Sequence, residues 1–326
     1  MPSPPPSTPS ILGLTPDRRA SFHENGYLVI PNYLSQKNLD DLLSTTHHLL
    51  SNFDLTTHPL TRFTTGDSPT SPTHVGDSYF LTSGDKIRFF FEPDAFQPPD
   101  SAHPNNPPTL TRAKNLAINK IGHSLHTLSP PFSDITLSAR TAEIARDLNF
   151  KDPRVLQSMV ICKQPGIGAA VPPHKDSEFL YTDPPSAVGW WIALQDAGPG
   201  NGGLGMWKGS HKRGYINRRF VRVEGGEGGT EFIPWNGTGL ARELQVGDWK
   251  EGEVYTPRDE DFELLDVKAG DLVLIHGNVL HKSERNTSGE SRFAYTFHVI
   301  DGAEEYDGRN WLQPTGEEGF TRLFAD

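Results

Sequence analysis

The chain has 326 residues, of which 35% are hydrophobic and 22% charged, and its formal net charge is −11. No run of about 18 apolar residues occurs, which excludes a membrane-spanning helix, and the acidic balance disfavours nucleic acid as a general partner. The N-terminus lacks the basic and apolar regions of a signal peptide, and Cys162 is the only cysteine. The sequence therefore predicts a cytoplasmic protein without disulfides.

The first part of the chain contains helix signals. Residues 1–14 are rich in Pro and Ser and predict a disordered tail, and residues 15–326 are predicted to form one domain. Capping residues Thr15 and Ser35 predict two helices, one over 16–25 and a longer one after Ser35. Further predicted elements in this helical part, about 15–150, are strands at Tyr27–Ile30 and Lys86–Phe91 and helices at Ala113–Leu128 and around 136–148.

The second part, about 151–312, has a different pattern, in which short β-rich runs alternate with Gly, Pro, Asn and Asp. Helices followed by many short strands are typical of an α+β protein whose β part is a sandwich or barrel such as a jelly roll. The predicted strands are Leu156–Lys163, Val188–Leu194, Phe262–Val267, Leu272–Ile275 and Phe293–Ile300.

A metal site is suggested by His174 and Asp176. On a strand, residues i and i+2 point to the same side, so both side chains can reach one ion. The pattern alone is weak, because a chain with 13 His and 41 acidic residues contains such pairs by chance. His281 strengthens it, since this residue follows an apolar strand by one short turn. Two His and one carboxylate can hold Fe(II) on one face and leave positions open for other ligands.

Arg292 begins the next predicted strand. Alternation places Arg292, Thr296 and His298 on one face of that strand and the large apolar residues on the other. An Arg on a small or polar inner face is suited to bidentate binding of a carboxylate. His298 shares this face, so either a role in the pocket or a hydrogen-bonded structural role is open to it.

The order of these motifs resembles the phytanoyl-CoA dioxygenase family, especially its domain-containing subgroup. The resemblance covers roughly residues 15–312, and one departure is Lys208, where the family usually has Pro. The motifs that carry it are His174-Lys175-Asp176, Asn201-Gly202-Gly203-Leu204, Gly209-Ser210-His211, His281-Lys282-Ser283 and Arg292, with supporting stretches at 84–92, 119–126, 157–159 and 179–183.

The resemblance implies a double-stranded β-helix of the jelly-roll or cupin type. It implies Fe(II) held by His174, Asp176 and His281, with 2-oxoglutarate and O2 as cosubstrates that yield succinate and CO2. Arg292 would bind the far carboxylate of 2-oxoglutarate. The other residues expected near the cosubstrate are Lys86, Ser283, Met159 and Trp191. Related halogenases have a small residue in place of Asp176, so a carboxylate there favours hydroxylation, desaturation or ring formation.

Two alternative functions differ in class. One is a jelly-roll metalloenzyme that uses another divalent metal without 2-oxoglutarate, and the other is a non-catalytic binding module on the same fold. The expected substrate is a small molecule, and both acyl-CoA thioesters and natural-product skeletons are open. A CoA group would need basic residues at the mouth of the site, for which Lys114, Lys120, Arg218 and Arg219 are candidates by position.

Overall fold

The computed structural model describes residues 12–65, 74–98, 108–212, 216–223, 228–235 and 257–324, so residues 1–11 of the predicted tail lie outside it. None of the described helices is long and apolar enough to cross a membrane. The α-helices in these ranges are α1 (Pro16–Asn25), α2 (Gln36–Asn52), α3 (Ser78–Leu81), α4 (Leu125–Leu128), α5 (Pro130–Thr136) and α6 (Ala139–Asp147).

The strands form mainly antiparallel ladders. The first eight are β1 (Tyr27–Ile30), β2 (Ile87–Phe91), β3 (Ile118–His123), β4 (Pro153–Lys163), β5 (Val171–His174), β6 (Thr182–Asp183), β7 (Val188–Ala193) and β8 (Leu204–Met206). The others are β9 (Arg218–Arg222), β10 (Thr230–Pro234), β11 (Glu263–Leu264), β12 (Leu272–His276), β13 (His281–Ser283), β14 (Arg292–Asp301), β15 (Glu305–Tyr306) and β16 (Thr321–Arg322).

The predicted helix caps are confirmed. The Thr15 hydroxyl accepts a hydrogen bond from the Arg18 amide at 3.3 Å, and the Ser35 hydroxyl accepts one from the Asn38 amide at 3.2 Å. Gly26 ends α1 in the left-handed region with φ of 81°, which a glycine adopts without a steric penalty. The chain then turns directly into β1, as the sequence predicts.

The helix predicted over Ala113–Leu128 is wrong. Its centre is strand β3, which pairs with β2 on one side and β4 on the other, and Ile118 and Ile121 are fully buried there. Pairing on both edges and burial override a local helix pattern, because short apolar runs are ambiguous between helix and strand. The strand predicted at Phe262–Val267 is also shorter, with only Glu263–Leu264 in the ladder.

Two sheets form the core of the described structure. The larger has the order β1-β12-β7-β14-β4-β3-β2, and the smaller has the order β11-β8-β13-β5. They share a buried apolar cluster that includes Trp191 and Ala294 of the larger sheet and Leu204 and Met206 of the smaller. This mostly antiparallel arrangement with a few helices agrees with the predicted α+β class, and its winding as a double-stranded β-helix stays a prediction.

The helices cover the other face of the larger sheet. Leu42 of α2, Phe132 of α5 and Ile144 of α6 belong to one core cluster with Tyr295 and Phe297 of β14. Burying side chains of this size contributes about 1.5–3 kcal/mol each. The alternation predicted for β14 is thereby confirmed, because its large apolar residues face the helices while Arg292, Thr296 and His298 line a cavity on the opposite face.

Candidate metal centre and cavity

Three side chains converge at one end of the smaller sheet. His174 is the last residue of β5, and it pairs in register with His281, the first residue of β13. Asp176 begins a short 3-10 turn directly after β5. The Oδ1 of Asp176 lies 3.6 Å from the Nε2 of His174 and 3.6 Å from the Nε2 of His281. Each residue offers a ligand atom within 4.8 Å of the others, which is a geometry able to hold a metal ion.

Backbone carbonyls orient both imidazoles of this cluster. The Nδ1 of His174 lies 2.9 Å from the carbonyl oxygen of Pro172, and the Nδ1 of His281 lies 3.2 Å from that of Val279. A carbonyl oxygen only accepts, so each Nδ1 carries the proton. Each Nε2 then presents its lone pair toward Asp176, as a metal ligand must.

The charge states of His281 and Asp176 suit a metal, whereas burial would lower the pKa of His174 but Asp176 raises it above its ordinary value. Burial lowers the pKa of His281 to about 4, which keeps this imidazole neutral at physiological pH. Burial alone would raise the pKa of Asp176, but the neighbouring His281, His298 and His174 hold it well below its ordinary value. A neutral imidazole beside an ionised carboxylate is the protonation state in which such residues ligate.

His298 lies on the side of Asp176 away from the other two histidines. Its Nε2 is 3.2 Å from the Oδ2 of Asp176, and its Nδ1 is 3.4 Å from the Nε2 of Gln157. Of the two roles that the sequence left open for His298, the structure combines both, since the residue is hydrogen-bonded and also lines the cavity. Gly189 faces this pair, and a Cβ atom there would lie 3.2 Å from Asp176 Oδ2. Little space therefore remains for a side chain at position 189.

A cavity of about 340 Å³ adjoins the cluster. Four residues predicted to lie near a cosubstrate line it, namely Arg292, Ser283, Met159 and Trp191. Arg292 is 1% exposed, and its Nη2 donates to the carbonyl oxygen of Gly202 at 2.6 Å. Its Nε and Nη1 have no acceptor among the described residues. Burial lowers the pKa of Arg292 to about 10, so the side chain remains a cation.

Lys86 does not lie at this cavity. It precedes β2, 46% of its side chain is exposed, and its ammonium pairs with Asp85 at 2.5 Å. The cavity is instead lined by Lys120 of β3, whose Nζ lies 3.3 Å above the ring of Phe63. Burial lowers the pKa of Lys120 to about 7. The sequence analysis considered Lys120 only for a CoA group, because it assigned this segment to a helix.

The other basic residues considered for a CoA group are placed differently. Lys114 donates to the carbonyl oxygen of Phe53 at 2.5 Å, and Arg219 is fully buried against Asp307. Arg218 does line the cavity, where it pairs with Glu178 at 2.8 Å.

Fold and site together define a mostly antiparallel β protein that carries a two-histidine, one-carboxylate cluster beside a cavity that a buried arginine lines. Comparison with known proteins gives the family. The model of the phytanoyl-CoA dioxygenase (PhyH) family matches residues 22–294. The chain belongs to this family.

Curated relatives support this membership along nearly the whole chain. A phytanoyl-CoA dioxygenase of Arabidopsis thaliana is 39% identical over 300 residues, which cover 92% of this chain and 92% of that protein. Phytanoyl-CoA dioxygenase domain-containing protein 1 of Bos taurus is 39% identical over 314 residues, covering 96% and 99%. The subgroup suggested by the sequence motifs is thus among the relatives found.

Solved structures share the fold at low identity. The α-ketoglutarate-dependent carbocyclase SnoK from nogalamycin biosynthesis superposes with a TM-score of 0.54 at 17% identity, over 90% of this chain and 86% of that one. EctD from S. alaskensis, solved with 2-oxoglutarate and 5-hydroxyectoine, superposes with a TM-score of 0.54 at 18% identity, over 95% and 82%.

Proposed function

We propose that the protein is a non-haem Fe(II)- and 2-oxoglutarate-dependent dioxygenase that hydroxylates a small organic molecule. The observation that carries this proposal is the joint presence, in one cavity, of the His174–Asp176–His281 cluster and the unsatisfied guanidinium of Arg292. The first can hold a metal and the second can bind a carboxylate. A 2-oxo acid dianion is a molecule that needs both.

The ligand set fits Fe(II). Two imidazoles and one carboxylate bind one face of an octahedral ion and leave three positions for other ligands. Solved structures with this fold include enzymes described as α-ketoglutarate-dependent, which supports the same assignment here. When bound, the metal and O2 would supply the oxidising chemistry that converts 2-oxoglutarate to succinate and CO2 and oxidises a substrate C–H bond.

The chain's own residues would bind and orient the cosubstrate. Arg292 would donate to the far carboxylate from one of its unsatisfied N–H groups, while its Nη2 stays anchored to the carbonyl oxygen of Gly202. Lys120, in place of Lys86, would be the second cation, and Ser283 would offer a hydroxyl. Met159 and Trp191 would form apolar walls, with the ring of Trp191 5.4 Å from the guanidinium carbon of Arg292.

The experiment that tests this function compares metals. Apoprotein loaded with Fe(II) should convert 2-oxoglutarate to succinate in air, whereas protein loaded with Zn(II) should not. His174→Ala should abolish the conversion. Equal turnover of another substrate with Zn(II) or Mn(II), without succinate, would favour a metalloenzyme that does not use 2-oxoglutarate. Normal succinate formation by His174→Ala would overturn the assignment of the metal ligands.

A further inference from the structure

Aromatic side chains form the wall of the cavity nearest to the metal cluster. The ring of Phe179 stands 5.8 Å from that of His174, edge to face, and packs 5.2 Å from Phe220 and 5.3 Å from Phe232. His74 lies 4.9 Å from Phe232. All of these rings line the cavity. Such a wall favours a flat or ring-bearing molecule, since aromatic side chains provide large apolar area at fixed geometry.

Two of the four Lys and Arg residues in the described lining of this cavity are already paired with acidic residues. Arg218 pairs with Glu178 at 2.8 Å, and its guanidinium carbon lies 4.2 Å above the ring of Phe232. Lys282 pairs with Asp259 and with Glu284, each at 2.7 Å. Within the described part of the lining, the remaining Lys and Arg are Lys120 and Arg292, which we assign to the cosubstrate. A polyphosphate such as that of CoA would compete with these ion pairs if it bound to Arg218 or Lys282.

The side-chain amide of Gln157 in the cavity lining has an oxygen, Oε1, without a hydrogen-bond donor among the described residues. Gln157 is 5% exposed, lines the cavity, and belongs to the same face of β4 as Met159 and Ile161. The Nε2 of Gln157 lies 3.4 Å from the Nδ1 of His298, whose Nε2 lies 3.2 Å from the Oδ2 of Asp176. The Oε1 of Gln157 is a buried acceptor with no donor among the described residues. An unmade buried hydrogen bond is costly, so a ligand donor there would be favoured.

We propose that the prime substrate is an uncharged, ring-bearing small molecule with a hydroxyl or N–H group, which packs on the Phe179–Phe220–Phe232 wall and donates to Gln157 Oε1. This inference rests on the proposed function, because it takes the Arg292 end of the cavity as the cosubstrate site. It predicts that acyl-CoA thioesters are not the substrate. It also makes Gln157 a specificity-determining residue.

Three probes with one ring system separate the features of this proposal: 2-naphthol, 2-methoxynaphthalene and 2-naphthoyl-CoA. Each is titrated anaerobically into protein loaded with Fe(II) and 2-oxoglutarate, and binding is followed by perturbation of the visible metal-to-ligand charge-transfer band. We expect 2-naphthol to bind about tenfold more tightly than its methyl ether, as one hydrogen bond allows. The thioester should cause no perturbation at the same concentrations.

The Gln157→Met variant tests the anchor. Loss of the amide affects His298 equally with either probe, so the ratio of the two affinities isolates the hydrogen bond to the ligand. The ratio should fall to about one in Gln157→Met. It should stay about ten in Gln164→Met, a matched control whose buried amide binds the carbonyls of Asn115 and Ile118 outside the cavity.

The outcomes distinguish the two levels of the proposal. Absence of the charge-transfer band in iron-loaded wild-type protein would be a failure of the proposed function. If the band is normal, three results would overturn the substrate class and leave the proposed function standing. These are tight binding of 2-naphthoyl-CoA, equal binding of 2-naphthol and its methyl ether, and no binding of either of these two compounds.

Discussion

The Nε2 of His298 lies 3.2 Å from the Oδ2 of Asp176, while the Oδ1 of the same carboxylate lies 3.6 Å from both His174 and His281. The two carboxylate oxygens thus have separate partners. His298 holds one oxygen, and the other is directed toward the position between the two remaining imidazoles. A hydrogen bond of this kind fixes the rotation of a ligating side chain before the metal binds.

Replacing His298 should therefore weaken metal binding. His298→Phe should lower the affinity for Mn(II), used as a stand-in for Fe(II), by about 10- to 100-fold, the usual effect of losing a partner that orients a ligand. His298→Gln, which keeps an N–H donor, should recover part of it. The measurement is an anaerobic titration followed by the electron paramagnetic resonance signal of free Mn(II).

His126 provides the control for this variant. It is buried and bound to the hydroxyl of Ser158, and it does not line the cavity. His126→Phe should reduce thermal stability through loss of a buried hydrogen bond without changing Mn(II) affinity. Unchanged Mn(II) affinity in His298→Phe would show that Asp176 needs no support from His298.

Removing the guanidinium of Arg292 should affect the cosubstrate and not the metal. Charge-assisted hydrogen bonds contribute about 1.5–3 kcal/mol, so Arg292→Met should raise the Kd for 2-oxoglutarate by about 10- to 100-fold. Mn(II) affinity measured without 2-oxoglutarate should match that of the wild type. An unchanged Kd for 2-oxoglutarate would remove the main support for the proposed function.

Cosubstrate affinity should depend on pH through Lys120. Burial lowers the pKa of Lys120 to about 7 in the free protein, and a bound carboxylate would raise it. The contribution of the Lys120 ammonium to 2-oxoglutarate affinity is then fully present below about pH 7. It is lost as the pH rises toward the higher pKa that Lys120 has in the complex. The measurement is calorimetry between about pH 6 and about pH 9. The Kd for 2-oxoglutarate should rise with pH in the wild type and stay constant in Lys120→Met.

Glu92 provides a second test of this pH dependence. Its buried carboxylate has a pKa raised to about 7 by burial, and its charge in turn raises the pKa of Lys120. In Glu92→Gln the rise in Kd should therefore begin at a lower pH than in the wild type. The same onset in both proteins, or a Kd that falls with pH, would contradict the assignment of Lys120 as a cosubstrate cation.

The backbone at Gly202 positions Arg292. Gly202 has φ of 83°, and a Cβ atom there would lie 2.5 Å from Lys163 Cδ and 2.8 Å from the carbonyl oxygen of Glu284. Gly200 has a similar φ of 87° but nothing within 4 Å. Positive φ destabilises both alanine variants. Because only the new Cβ at position 202 would clash with neighbouring atoms, only Gly202→Ala should also raise the Kd for 2-oxoglutarate. Equal effects of the two variants would argue against a role for this turn.

The sequence predicted the parts of the site that depend on local periodicity. His174 and Asp176 are two residues apart at the end of a strand, and the alternation of β14 puts Arg292 and His298 on one face. Lys120 was not predicted as a cosubstrate residue, because pairing of β3 with two neighbouring strands is a long-range effect that a helix-like local pattern conceals. The contact of His298 with Asp176 joins distant parts of the chain and lies beside Gly189, on a third strand, so no local pattern indicates it.

The proposed use of Fe(II) and 2-oxoglutarate is best tested by anaerobic reconstitution with both, followed by addition of air. We expect a visible metal-to-ligand charge-transfer band before air is added and succinate afterwards. The band should be absent in His174→Ala, and in Arg292→Met it should require more 2-oxoglutarate. If iron binds at the cluster but saturating 2-oxoglutarate produces no such band, the proposed use of 2-oxoglutarate is contradicted.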